Sequence, residues 1–145
     1  MEKIVVSLAE FEKEAERFAK TLAPKDFGAT LVTLSGELGA GKTAFTKAVA
    51  KTFGVAEVVT SPTFVLEKIY TLSPKAPFKR FVHIDTYRLE SGAELGPLGF
   101  DERMREATNL IFLEWPEKVS DALPLPTAAI SIRTTAEGAR TIFYG

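Results

Sequence analysis
The chain has 145 residues, a formal net charge of −1 and no cysteine. That length suits one domain with a substantial core, and leaves little room for a phosphate-binding module plus a separate substrate domain. The near-neutral charge argues against tight nonspecific nucleic-acid binding, and the lack of cysteine excludes disulfides, thiol nucleophiles and cysteine-held metals.

Residues 1–6 have no signal-like apolar core, and no stretch approaches the roughly 20 apolar residues needed to span a bilayer, so a soluble, cytoplasmic protein is expected. Residues 4–6 read as a short strand. Ser7 with Glu10 forms a capping box that opens a helix carrying Phe11, Ala15, Phe18, Ala19 and Leu22 on one face. Pro24 and Gly28 end it. Residues 30–34, Thr-Leu-Val-Thr-Leu, are β-branched and apolar and read as a buried strand.

The next eight residues, Gly36-Glu37-Leu38-Gly39-Ala40-Gly41-Lys42-Thr43, match the phosphate-binding pattern G-x-x-x-x-G-K-[ST] in full. Residues 44–53 contain no Gly or Pro and place Phe45, Val49 and Phe53 on one helical face. Strand, glycine loop and helix form the context the motif requires. Gly36, Gly39 and Gly41 allow turns that a Cβ would obstruct, so that backbone N–H groups can form an anion nest. The following helix adds its unsatisfied N–H groups and its positive dipole end. Lys42 is expected to reach the β- and γ-phosphates, and Thr43 to offer its hydroxyl to Mg²⁺.

After Gly54, Val58 and Val59 lead into Thr60-Ser61-Pro62-Thr63. Residues 64–72 alternate like a strand, 73–77 form a turn, and 81–85 read as the returning strand of an antiparallel hairpin. Residues 93–95 and 101–107 look like short helices. Residues 110–114 form a buried strand, and 128–133 with 141–144 a final pair around the Gly138 turn. The sum is an α/β domain over residues 1–145, a mixed central sheet flanked by helices, with strand order left open.

Hydrolysis or transfer also needs an acid near the metal and a group that orients the nucleophile. Two apolar strands end in one: Phe81-Val82-His83-Ile84-Asp85 and Leu110-Ile111-Phe112-Leu113-Glu114. Strand ends are where sites form in open α/β folds, although a lone strand-terminal acid is often only solvated. Ser61 and Thr63 sit on a Pro-fixed loop that either senses the γ-phosphate or makes a local turn. His83, between Val82 and Ile84, reads as a partly buried strand residue rather than an acid–base catalyst. Trp115 is either a packed anchor or a lid on the nucleotide, and Arg88 either a charge stabiliser or an exposed ion-pair partner.

The glycine loop, then Ser61-Pro62-Thr63-Phe64, then His83-Ile84-Asp85-Thr86-Tyr87-Arg88-Leu89, then Leu113-Glu114-Trp115-Pro116-Glu117 resemble the TsaE family, over residues 7–144. Those are P-loop ATPases of bacterial tRNA threonylcarbamoyladenosine biosynthesis. The resemblance implies weak ATP hydrolysis alone and action with the TsaD and TsaB proteins, with tRNA met only through that complex. It implies that Lys42 and the loop from Leu38 through Gly39, Ala40 and Gly41 bind the phosphates of ATP. Thr43 and Glu114 would hold Mg²⁺, and Asp85 would act on the water beside the γ-phosphate. Ser61 and Thr63 would belong to a switch-like loop, with Trp115 close to the nucleotide. Arg133 is the first candidate for the adenine, with the segment near Glu10 as its rival. A small-molecule kinase with Arg103 and Arg105 on a lid, and a nonenzymatic nucleotide-gated binding module, are the alternatives.

Overall fold
The computed structural model describes residues 1–55, 67–135 and 137–145. Ser61 and Thr63 therefore lie outside the described residues, as do Val58, Val59 and the start of the strand expected from residue 64.

Seven strands form one sheet in the order β1-β7-β6-β2-β5-β4-β3. They are β1 (Glu2–Val5), β2 (Thr30–Ser35), β3 (Glu67–Thr71), β4 (Arg80–Asp85), β5 (Asn109–Glu114), β6 (Ala128–Thr134) and β7 (Arg140–Tyr144). The four central strands, β6, β2, β5 and β4, run parallel, while β3 and the β7–β1 pair close the edges antiparallel. The mixed sheet expected from the sequence is present, including the hairpin between β3 and β4 and the final strand pair.

Because both faces of the central strands are covered, β2 and β5 show no alternation: every residue of the two but Ser35 is buried. The pleat sends Val32, Leu34, Leu110, Phe112 and Phe81 to one face, where they pack with Phe11, Phe18, Phe45, Val49 and Phe53. Those partners come from α1 (Leu8–Ala19), α2 (Lys42–Thr52) and, for Phe53, the residue that caps α2. On the other face Leu31, Ile111, Leu113, Val82 and Ile84 pack with Leu89, Leu95, Phe100 and Val119. Phe100 opens α3 (Phe100–Arg105), which follows a 3-10 helix over Gly92–Leu98. Phe45 is fully buried between the rings of Phe11 and Phe18, at centroid distances of 5.9 and 5.8 Å. Truncating such a ring to Ala costs about 3–5 kcal/mol.

The start of α1 follows its sequence. The Ser7 hydroxyl accepts the Glu10 N–H at 3.1 Å, and the Glu10 carboxylate reaches back to the Val6 N–H at 2.9 Å. A cap of this kind is worth about 1 kcal/mol. Among the described residues no helix is long and apolar enough to cross a membrane.

Candidate functional site
β2 ends at Ser35 and α2 begins at Lys42, so the glycine loop joins the central strand to the helix that covers it. Gly36 has φ +151°, and a Cβ there would lie 2.6 Å from the Ile132 carbonyl oxygen of β6. Gly41 has φ +116°, and its Cβ would meet the Phe11 ring at 3.1 Å. Both positions need glycine for space as well as for backbone conformation.

The Lys42 ammonium donates to the carbonyl oxygens of Gly36 at 2.5 Å and Glu37 at 2.9 Å, which curls the loop around its own lysine. The same nitrogen lies 4.1 Å from the centre of the Trp115 ring. Burial lowers the Lys42 pKa, and the negative charges of Glu114, Asp85 and Glu117 oppose that shift. From outside the loop, Arg140 of β7 donates through Nε to the Ala40 carbonyl oxygen at 2.8 Å.

Asp85 and Glu114 are register partners at the ends of adjacent parallel strands. Glu114 is only 2% exposed. Its carboxylate lies 3.2 and 3.3 Å from the Thr43 hydroxyl and 2.5 Å from His83 Nε2. Asp85 accepts the Tyr87 N–H at 3.0 Å. The Thr86 hydroxyl lies 2.8 Å from the Glu114 carbonyl oxygen and 2.6 Å from that of Trp115. The Trp115 N–H donates to Leu34 at 3.1 Å. These bonds hold Trp115 at φ +64°, which among the described residues no other non-glycine side chain shares in sign. Such a conformation costs about 1–3 kcal/mol and persists only where its surroundings over-determine it. The Trp115 ring packs on Tyr87 at 4.9 Å.

The expected site residues largely come together. Gly39, Gly41, Lys42, Thr43, Asp85, Glu114 and Trp115 line one cavity of about 320 Å³, with Leu38 and Arg88 at its edge. The Leu38 side chain itself is 71% exposed, and Ala40 is buried behind the loop. Arg133 stands apart. It lines a cavity of about 600 Å³ on the β6 side with Glu37, Leu38, Ala40 and Trp115, and its guanidinium lies over the Phe143 ring at 5.4 Å. The rival segment forms a third cavity, of about 230 Å³, where Ser7, Leu8 and Phe11 adjoin Gly41, Ala44 and Arg140.

Arg103 is not at the cavity that Lys42 and Asp85 line. It pairs with Glu67 of edge strand β3 at 3.5 Å and lines a cleft with Arg80 and Asn109, the first residues of β4 and β5. Arg105 is exposed on the same helix, so a kinase lid carried by these arginines finds no support in the geometry. Three residues matter here to which the sequence gives no site role: His83, Thr86 and Arg140. For His83 a signal existed, since it stands two residues before Asp85 and therefore on the same strand face. It is fully buried rather than partly so.

Mg²⁺ takes hard oxygen donors from one or two carboxylates, with substrate phosphates and water completing its shell. The Thr43 hydroxyl and the Glu114 carboxylate, with Asp85 one strand away, fit that demand. No group of three or more His, Asp or Glu among the described residues is arranged to cage an ion alone.

The family model described as threonylcarbamoyl adenosine biosynthesis protein TsaE matches residues 5–142. A tRNA threonylcarbamoyladenosine biosynthesis protein TsaE from Rickettsia typhi is 38% identical over 123 residues, 84% of this chain and 81% of the relative. The protein of that name from Bacillus subtilis is 33% identical over 132 residues, 91% of this chain and 79% of the relative. The crystal structure of Bacillus subtilis YdiB superposes with a TM-score of 0.79 at 27% identity, covering 99% of this chain and 83% of that one.

Proposed function
The chain belongs to the TsaE family, and from that premise we propose that it is an Mg²⁺-dependent ATPase acting in threonylcarbamoyladenosine formation on tRNA, together with TsaD and TsaB. One observation carries the reading. The motif threonine Thr43 and the strand-end carboxylate Glu114 approach to 3.2 Å, in a cavity that Lys42 and Asp85 also line. A phosphate-binding loop, a metal-ligand pair and a second carboxylate are the parts that nucleotide hydrolysis needs.

In this reading the loop amides and Lys42 take the β- and γ-phosphates, Lys42 as a point charge already desolvated by its surroundings. Thr43 and Glu114 hold the metal. Held there, Mg²⁺ would neutralise charge on the phosphates. Asp85 orients the attacking water and accepts its proton, while the bond between the γ-phosphorus and the bridging oxygen breaks and ADP leaves. Trp115 and Tyr87 wall off bulk water beside the γ-phosphate.

We assign the adenosine to the cavity bounded by Ser7, Leu8 and Phe11, because it adjoins Gly41 and Ala44, where the phosphate chain leaves the helix start. Arg133 then faces the cavity on the far side of the loop. Nucleotide affinity should stay within about threefold of wild type in Arg133→Ala and fall at least tenfold in Leu8→Asp, by calorimetry; the reverse order would return the adenine to Arg133.

The decisive experiment is ATP turnover with and without the TsaD–TsaB pair. Slow turnover alone and at least tenfold stimulation by the pair are expected. Transfer of labelled γ-phosphate to a metabolite would instead favour a kinase, and nucleotide-dependent association without turnover a nonenzymatic module.

A further inference from the structure
His83 is the one histidine of the chain. It lies in the middle of β4, pairs in register with Phe112 of β5, and is completely buried. The pleat puts it on the same sheet face as Phe81, Phe112 and Glu114, the face that α2 covers. Its Nε2 lies 2.5 Å from Glu114 Oε2, while its Nδ1 is buried with no hydrogen-bond partner among the described residues.

These two facts together determine where the proton sits. Without a hydrogen on Nε2, an imidazole lone pair would face carboxylate lone pairs at 2.5 Å, which is repulsive. A hydrogen on Nδ1 would be a buried N–H with nothing among the described residues to receive it, which is the more costly kind of orphan. Nε2 is therefore the donor, and Glu114 Oε2 accepts from it. The Thr43 hydroxyl approaches both oxygens of the same carboxylate from the helix side. Glu114 is thus held between a strand neighbour and the first turn of α2, with few rotamers left to it.

We propose that His83 is a positioning residue: its Nε2–H aims the Glu114 carboxylate at the Thr43 hydroxyl and so pre-forms the metal-binding pair. His83 does not itself touch substrate or metal. The proposal rests on the assignment of Glu114 to Mg²⁺, and its test separates the two. A preorganised ligand pair saves the ordering of one long side chain when metal binds, so losing the donor should weaken metal binding more than nucleotide binding.

The test uses His83→Asn and His83→Gln, because a glutamine amide nitrogen reaches about as far as Nε2 and an asparagine amide does not. Binding of a fluorescent ADP analogue is titrated with Mg²⁺, beside Glu114→Gln and with thermal unfolding as a control for folding. In His83→Asn the half-saturating Mg²⁺ should rise about tenfold, with metal-free ADP affinity unchanged. In His83→Gln it should return to within about threefold of wild type. Long-range ¹H–¹⁵N correlation on the single histidine of the wild-type protein should show the Nε2–H tautomer. An Nδ1–H pattern would overturn the proposal, as would a glutamine variant no better than asparagine. If Glu114→Gln raises the Mg²⁺ requirement and His83→Asn does not, the metal assignment survives and the role of His83 falls. If neither variant shifts it, both fall.

Discussion

Glu14 and Glu114 are both buried carboxylates with several hydrogen-bond donors, yet their surroundings differ in one respect. Glu14, on α1, receives a two-pronged bond from Arg17, at 3.0 and 2.6 Å, and a third from the Tyr144 hydroxyl at 2.6 Å. Its charge is matched by a permanent cation within its own helix, and it ties α1 to the last strand. That pairing holds its carboxyl below the usual range and pushes the Arg17 guanidinium up, while burial first, and the bond to Glu14 second, raises the Tyr144 hydroxyl. Glu114 receives a hydroxyl and an imidazole, with the nearby Lys42 engaged on loop carbonyls. The first carboxylate is neutralised where it stands and serves cohesion. The second lines a cavity beside Lys42, where the proposed metal would meet it.

The contrast can be broken if changes on one side leak into the property of the other. The largest expected effect is on chemistry: Asp85→Ala, beside Glu114, should lower partner-stimulated turnover by about 10²–10⁴-fold, measured under single-turnover conditions. Full activity in that variant would remove Asp85 from the reaction. Next, Lys42→Ala should weaken ATP binding by about 10–100-fold, the loss of charge-assisted hydrogen bonds, while thermal unfolding shows the chain still folded. An unchanged dissociation constant by calorimetry would take Lys42 out of the site. Smaller still, Glu14→Gln should destabilise the fold by about 1–2 kcal/mol, since Arg17 is partly solvated, and leave nucleotide affinity as it was. A change in affinity would show that the two carboxylates are not separate devices.

The smallest effect is in the pH dependence. The carboxyl of Glu14 is lowered by its bond to Arg17, so its stabilising contribution is present above the unfolded value and is lost as pH falls through the folded one. Glu67 has the opposite sign: burial raises its carboxyl, so its contribution is present at low pH and is lost as pH rises through its folded value. Urea unfolding across the carboxylate range should therefore show a shallower acid loss in Glu14→Gln than in wild type, and a steeper one in Glu67→Gln. Parallel curves for all three proteins would contradict both assignments.

Much of the fold was legible because its signals are local. The Ser7 and Glu10 cap, the β-branched and apolar runs of β2 and β5, and the glycines at 36 and 41 each express a short-range constraint. Strand order was not legible, since parallel neighbours such as β2 and β6 are joined by long connections that sequence pattern does not order. The P-loop, Asp85 and Glu114 were found because strand-end acids beside such a loop have few other roles. His83 was read as a packed strand residue because alternation assigns a face and says nothing of what meets it there. Thr86 and Arg140 bond to carbonyl oxygens of Glu114, Trp115 and Ala40, contacts that depend on the completed sheet. The helix expected over 101–107 is Phe100–Arg105, and that expected over 93–95 is a 3-10 helix with Pro97 inside it, which cannot donate to an α ladder.

The pairing of β1 with β7 has a consequence in time. Residues 2–5 meet 140–143, so β1 finds its partner only after the strands and helices between them have been synthesised. At about 5–20 residues per second, that interval is on the order of ten seconds, and contacts so distant in sequence also close slowly. Arg140, the residue that grips the glycine loop at Ala40, arrives on the same late strand. The Arg140 grip on the glycine loop is thus coupled to a late pairing, and a partly made chain carries the loop's sequence well before it carries that contact.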